Sequence, residues 1–121
     1  MKPFPFLLCL MSFLSCKAAD FRSVDADSFV QVIEDTTVVR LDVRTANEYT
    51  QGHIPGALLI DVTQADFMQK AEQLLPKEKT IALYCRSGRR SKTAAQLLAK
   101  QGYQVIELNT GFNSWKGEVE R

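Results

Sequence analysis

Short apolar runs alternate along this chain with stretches whose apolar residues recur every three or four positions. Val38-Val39-Arg40-Leu41-Asp42, Ala57-Leu58-Leu59-Ile60, Thr80-Ile81-Ala82-Leu83-Tyr84 and Gln104-Val105-Ile106-Glu107-Leu108 read as strands. Helical patterns lie between them. Asp25 or Asp27 can cap a helix whose apolar positions include Phe29, Val30 and Ile33, and Thr45-Ala46-Asn47-Glu48 has capping-box spacing for a short helix that ends before Gly52 and Pro55. A third helix is predicted over about residues 63–75, stopped by Pro76. Ser91 can cap a fourth over residues 92–100, with Ala95, Leu98 and Ala99 facing inward and Gly102 closing it. Short apolar strands alternating with helices predict an α/β fold, a central and mainly parallel sheet with helices on both faces. Ligands in such sheets bind beyond the carboxyl ends of the strands, and Cys85 stands at one such end.

The N-terminal segment breaks the pattern. After Lys2, the run from Phe4 to Leu14 is uncharged, apolar and too short to span a bilayer, which is the shape of a signal-peptide core. Residues 1–16 are therefore expected to be a leader and residues 20–121 a single folded domain, exported to a bacterial cell envelope. Phe13-Leu14-Ser15-Cys16 resembles a lipobox, which would make Cys16 a lipid-bearing residue; Cys16-Lys17-Ala18 offers an ordinary cleavage site instead. The two alternatives are a membrane-anchored lipoprotein and a soluble periplasmic protein, and the membrane enters only through that lipid.

Composition narrows the partners. With 121 residues, 45% hydrophobic and 24% charged, the chain suits one small domain. Its formal net charge is +1, and losing Lys2 with the leader leaves basic and acidic residues level, so nucleic acid is not an expected partner. Of the three cysteines, Cys9 and Cys16 lie in or beside the leader, so the folded domain has Cys85 alone. That excludes an internal disulfide and a dithiol oxidoreductase, which needs a nearby resolving partner. One thiol suffices for chemistry that parks a group on sulfur and hands it to an external acceptor.

The basic excess is local. Arg86, Arg89, Arg90 and Lys92 crowd Cys85, interleaved with Ser87 and Gly88, between a strand and a helix N-terminus. Such a loop, with amides pointing inward and arginines around it, favours a thiolate over a thiol and attracts a small anion. The Cys85 pKa is expected below the free-cysteine value of about 8.5. Arg86 and Arg89 are expected to face the loop mouth, and Arg90 to point inward and hold its shape. His53, the lone histidine, reads as a hydrogen-bonding turn residue, Asp42 as a partner for Arg44 or a loop amide, and Phe112 and Trp115 as core packing. One histidine and one cysteine are too few for a transition-metal site, and no cofactor is called for.

Asp42-Val43-Arg44, Glu48, Gly52-His53-Ile54-Pro55-Gly56-Ala57, the loop Cys85-Arg86-Ser87-Gly88-Arg89-Arg90-Ser91 and Gly111-Phe112-Asn113-Ser114-Trp115 occur in order across most of the mature chain. Together they resemble a single-domain rhodanese, or thiosulfate sulfurtransferase. The resemblance implies a parallel sheet flanked by helices. It also implies transfer of sulfane sulfur from a small anionic donor such as thiosulfate, through a persulfide on Cys85, to cyanide or a thiol. By the same resemblance the amides and side chains of Arg86, Ser87, Gly88, Arg89 and Arg90 bind donor and persulfide, with Asp42, Arg44 and Ser91 in support. Thr110-Gly111 stands where the family often has a glycine pair. Two rivals follow: an envelope sulfur-carrier or binding module, and a phosphatase or arsenate reductase of the same fold. Loops of the latter class follow Cys-x5-Arg, whereas Arg90 gives Cys-x4-Arg here and Ser91 holds the next position.

Overall fold

A computed structural model describes residues 20–121; the leader over 1–16 and Cys16 lie outside the described residues. Five strands form one sheet: β1 (Arg22–Val24), β2 (Val39–Asp42), β3 (Leu58–Leu59), β4 (Thr80–Tyr84) and β5 (Gln104–Leu108). Their spatial order is β1-β5-β4-β2-β3, and every pairing is parallel. The connecting helices are α1 (Ala26–Glu34), α2 (Ala46–Gln51), α3 (Phe67–Leu74) and α4 (Arg89–Lys100), and a 3-10 turn spans Phe112–Ser114.

Alternation along the strands divides the core into two layers. Leu41, Val43, Ile81, Leu83, Cys85 and Val105 face α3 and α4, where Phe67, Ala71, Ala94, Ala95 and Leu98 cover them. Ala82, Tyr84 and Leu108 face the opposite way, against Phe29 and Ile33 of α1 and against Ile54 and Ala57. β4, central and nearly wholly buried, points its carboxyl end at the loop that follows.

Three local expectations change. The third helix starts at Phe67 rather than near Thr63, because Asp61 accepts the Thr63 amide (2.9 Å) and hydroxyl (2.7 Å) and folds the intervening residues into turns. The fourth begins at Arg89, capped by the backbone of Gly88 at φ 106°, so Ser91 lies inside its first turn instead of capping it. β1 was not signalled by the pattern: three residues are too few to show alternation, and its place comes from pairing with β5. Asp25 is the cap of α1, through the Ser28 amide, and the Thr45/Glu48 capping box of α2 forms as expected.

Candidate active site

Cys85 follows β4 directly, with 1% of its surface exposed, and is free. The Gly88 amide donates to its Sγ at 3.1 Å, and Ser91 Oγ lies 3.4 Å away. Burial pushes the thiol up, but the Ser91 hydroxyl and the amides of Ser91, Gly88 and Ser87 outweigh it and hold the pKa below the ordinary value. The direction matches expectation. The dominant groups are amides and a hydroxyl rather than arginines.

The loop is built by a second segment. The Phe112 amide donates to the Cys85 carbonyl (2.8 Å) and the Asn113 amide to that of Arg86 (3.0 Å). The approach requires glycine on both sides. A Cβ on Gly88 would stand 2.0 Å from the Asn109 carbonyl, and one on Gly111, at φ 68°, would stand 2.4 Å from that of Arg86.

The basic residues take different places. Arg90 reaches across to α2 and forms a two-pronged pair with Glu48, at 2.8 and 2.9 Å. Arg90 and the capping-box contacts of Thr45 hold the Glu48 carboxyl down to about 2. Lys92 bonds Glu107, the Gly88 carbonyl and Asn109 Oδ1, each at 3.1 Å. Arg86 and Arg89 are exposed, and among the described residues no carboxylate pairs with either.

Beside the loop, Arg44, Glu48, Gln51, Gly52, Arg86 and Phe112 line an open cleft of about 320 Å³. Its floor is rigid. Arg44 is buried, fastened to Asp42 (2.7 Å) and the Gly52 carbonyl (2.7 Å), and lies over the Phe112 ring at 4.5 Å. Tyr84 donates to Asp42 (2.7 Å) and accepts the Ile54 amide; burial and the Asp42 charge raise its pKa. Asp42 thus serves Arg44 and Tyr84 at once. His53 bonds the Tyr49 carbonyl through Nδ1 (2.8 Å) and stacks on the Tyr49 ring, as a structural turn residue would. Phe112 packs on Tyr84 and Trp115 on Phe29, also as expected. Among the described residues no three His, Cys, Asp or Glu side chains converge as metal ligands would.

Residues 25–118 match the rhodanese-like domain family. The chain belongs to that family. This rhodanese-like chain is 31% identical to the thiosulfate sulfurtransferase GlpE of Shewanella oneidensis, over 80% of its own length and 94% of the relative's. A Bacillus subtilis protein named as a sulfur carrier, YrkF, is 33% identical over 85% of the chain, which spans only 55% of that protein. The crystal structure of a rhodanese-related protein from Thermoplasma volcanium superposes with a TM-score of 0.72 at 25% identity, covering 83% of this chain and 98% of that one. The rhodanese-like family is one of sulfurtransferases, and sulfur donors and acceptors are its general partners.

Two features of the rhodanese-like site escaped the sequence reading. Glu48 was noted as a capping-box residue and as part of the family pattern, yet it is also the partner of Arg90. Glu107 was read only as a strand residue, yet it is fully buried beneath the loop. Strand alternation could have found it, since Val105 and Glu107 share a face and a buried carboxylate needs partners.

Proposed function

We propose that this protein moves sulfane sulfur from thiosulfate, or a similar small anion, through a Cys85 persulfide to cyanide or a thiol. The observation that carries the reading is the Cys85 sulfur buried at the start of α4 with the Gly88 amide on it at 3.1 Å. Amides and a helix N-terminus favour the thiolate without a general base. In the first step the thiolate attacks the outer sulfur of thiosulfate. A bond forms between Cys85 and that sulfur, the donor's sulfur–sulfur bond breaks, and sulfite leaves with the electron pair. In the second the acceptor attacks the outer persulfide sulfur; cyanide leaves as thiocyanate and Cys85 recovers its thiolate. The amides that stabilise Cys85 also serve the persulfide anion, and Arg86 lines the cleft from which a dianion would approach.

Near-complete burial of Cys85 favours a donor that presents a single terminal sulfur. Arg90, held by Glu48, is not free to clamp a tetrahedral oxyanion, which weighs against phosphatase chemistry. A sulfur-carrier role, suggested by the name of YrkF, would use the same persulfide but pass it to a protein. Intact-mass measurement after incubation with thiosulfate tests the reading. One added sulfur is expected on the wild-type protein and none on a folded Cys85→Ser variant; no gain on the wild type overturns it. Release of thiocyanate over many turnovers with cyanide separates the enzyme from a carrier.

A further inference from the structure

Glu107 is fully buried, and no step of the proposed reaction uses it. Two elements converge on its carboxylate. Ser23 of β1 donates to Oε1, while Ser91 and Lys92 of α4 donate to Oε2, Lys92 at 3.1 Å. Register places Glu107 opposite Leu83, two residues before Cys85 on the same face of the sheet. Ser91 Oγ thus bridges two groups, with the Cys85 sulfur at 3.4 Å and the Glu107 carboxylate closer still.

A hydroxyl has one proton to give. The Glu107 carboxylate competes with the Cys85 thiolate for that proton and so weakens the hold that Ser91 keeps on the anionic sulfur. Freed of that competition, the hydroxyl donates to the thiolate alone. We propose that Glu107 is a positioning residue that acts on Cys85 through Ser91, setting how firmly this hydroxyl supports the anionic sulfur. Lys92 is the other charged group on Glu107 among the described residues, and it stabilises the carboxylate. Around the sulfur, the Gly88 amide remains whichever way Ser91 points, and the nearby charge of Arg90 is pinned by Glu48. Ser91 is therefore the element that responds. Its meaning for turnover rests on Cys85 being the sulfur-carrying residue.

The test is the pH dependence of alkylation by iodoacetamide, a neutral probe that needs no sulfur donor. Glu107→Gln keeps the shape; Lys92 and Ser91 share one oxygen, so the amide carbonyl takes that place, and this neutral acceptor competes for the hydroxyl proton less than a carboxylate does. The inflection is expected to fall by about one pH unit, a tenfold faster reaction at a fixed pH below it, as one hydrogen bond to an ion implies. In a Ser91→Ala background the same substitution is expected to move the inflection by less than half as much. Ser91→Ala alone is expected to raise it. An upward or absent shift in Glu107→Gln, or an undiminished one without Ser91, overturns the proposal. So does an unchanged or lowered inflection in Ser91→Ala, which decides the matter if Glu107→Gln fails to fold. Failure of thiosulfate to add sulfur would sink the sulfurtransferase reading and leave the alkylation profiles unchanged.

Discussion

Arg86, Arg89 and Arg90 share one loop, but only Arg90 has its charge matched by a carboxylate. The other two, exposed and unpaired among the described residues, are the ones an approaching dianion meets. Arg86→Ala and Arg89→Ala are each expected to raise the thiosulfate KM about two- to fivefold, the size of one solvent-exposed charge contact, with little change for an uncharged donor. Steady-state kinetics at low and high salt check this, since ionic strength should imitate the substitutions. An unchanged KM would leave donor selection to the amides and loop shape. At this scale the sequence was legible wherever a residue's chemistry is local. Cys85, Gly88 and the Asp42–Arg44 pair lie within a few positions of the groups they serve. Arg90 and Glu48 stand 42 residues apart, and Ser91 and Glu107 stand 16 apart, so their pairing depends on which faces the sheet turns inward.

The first turn of α4 is held to its neighbours by two devices of different kinds. One is steric. Gly88→Ala would force a side chain into a left-handed conformation and against the Asn109 carbonyl, at a cost of about 1–3 kcal/mol, and would move the amide now on Sγ. Denaturant unfolding should report that loss, and sulfur transfer should fall further than the folded fraction does. The other is ionic. Because Glu48 is held down to about 2, its stabilising contribution is complete above the ordinary carboxylate value of 4.5 and is lost as pH falls through about 2. Both partners are about a quarter exposed, so the wild type should exceed Glu48→Gln by on the order of 1 kcal/mol at pH 7. Unfolding curves from pH 7 downward should show that advantage shrinking below 4.5 and gone near 2. Capping signals and the four longer apolar runs made most elements readable. Helix starts were misplaced where Asp61 and Gly88 redirect the backbone through contacts that no periodicity records.

Across the whole molecule, the parallel sheet gathers the carboxyl ends of β2, β4 and β5 at one edge, so that Arg44, Cys85 and the 109–114 turn come together from distant stretches of chain. With net charge near zero, attraction of an anion depends on this edge and not on the molecule's overall field. The amides of Phe112 and Asn113 occupy the carbonyl oxygens of Cys85 and Arg86. That contact sorts the loop's dipoles: negative ends are tied down on the far side, and positive ends remain to face the sulfur. The motif from Cys85 to Ser91 therefore carries only half of its own chemistry. Transplanted between another strand and helix it would keep every letter and lose its polarity, because the residues that orient it are supplied more than twenty positions downstream.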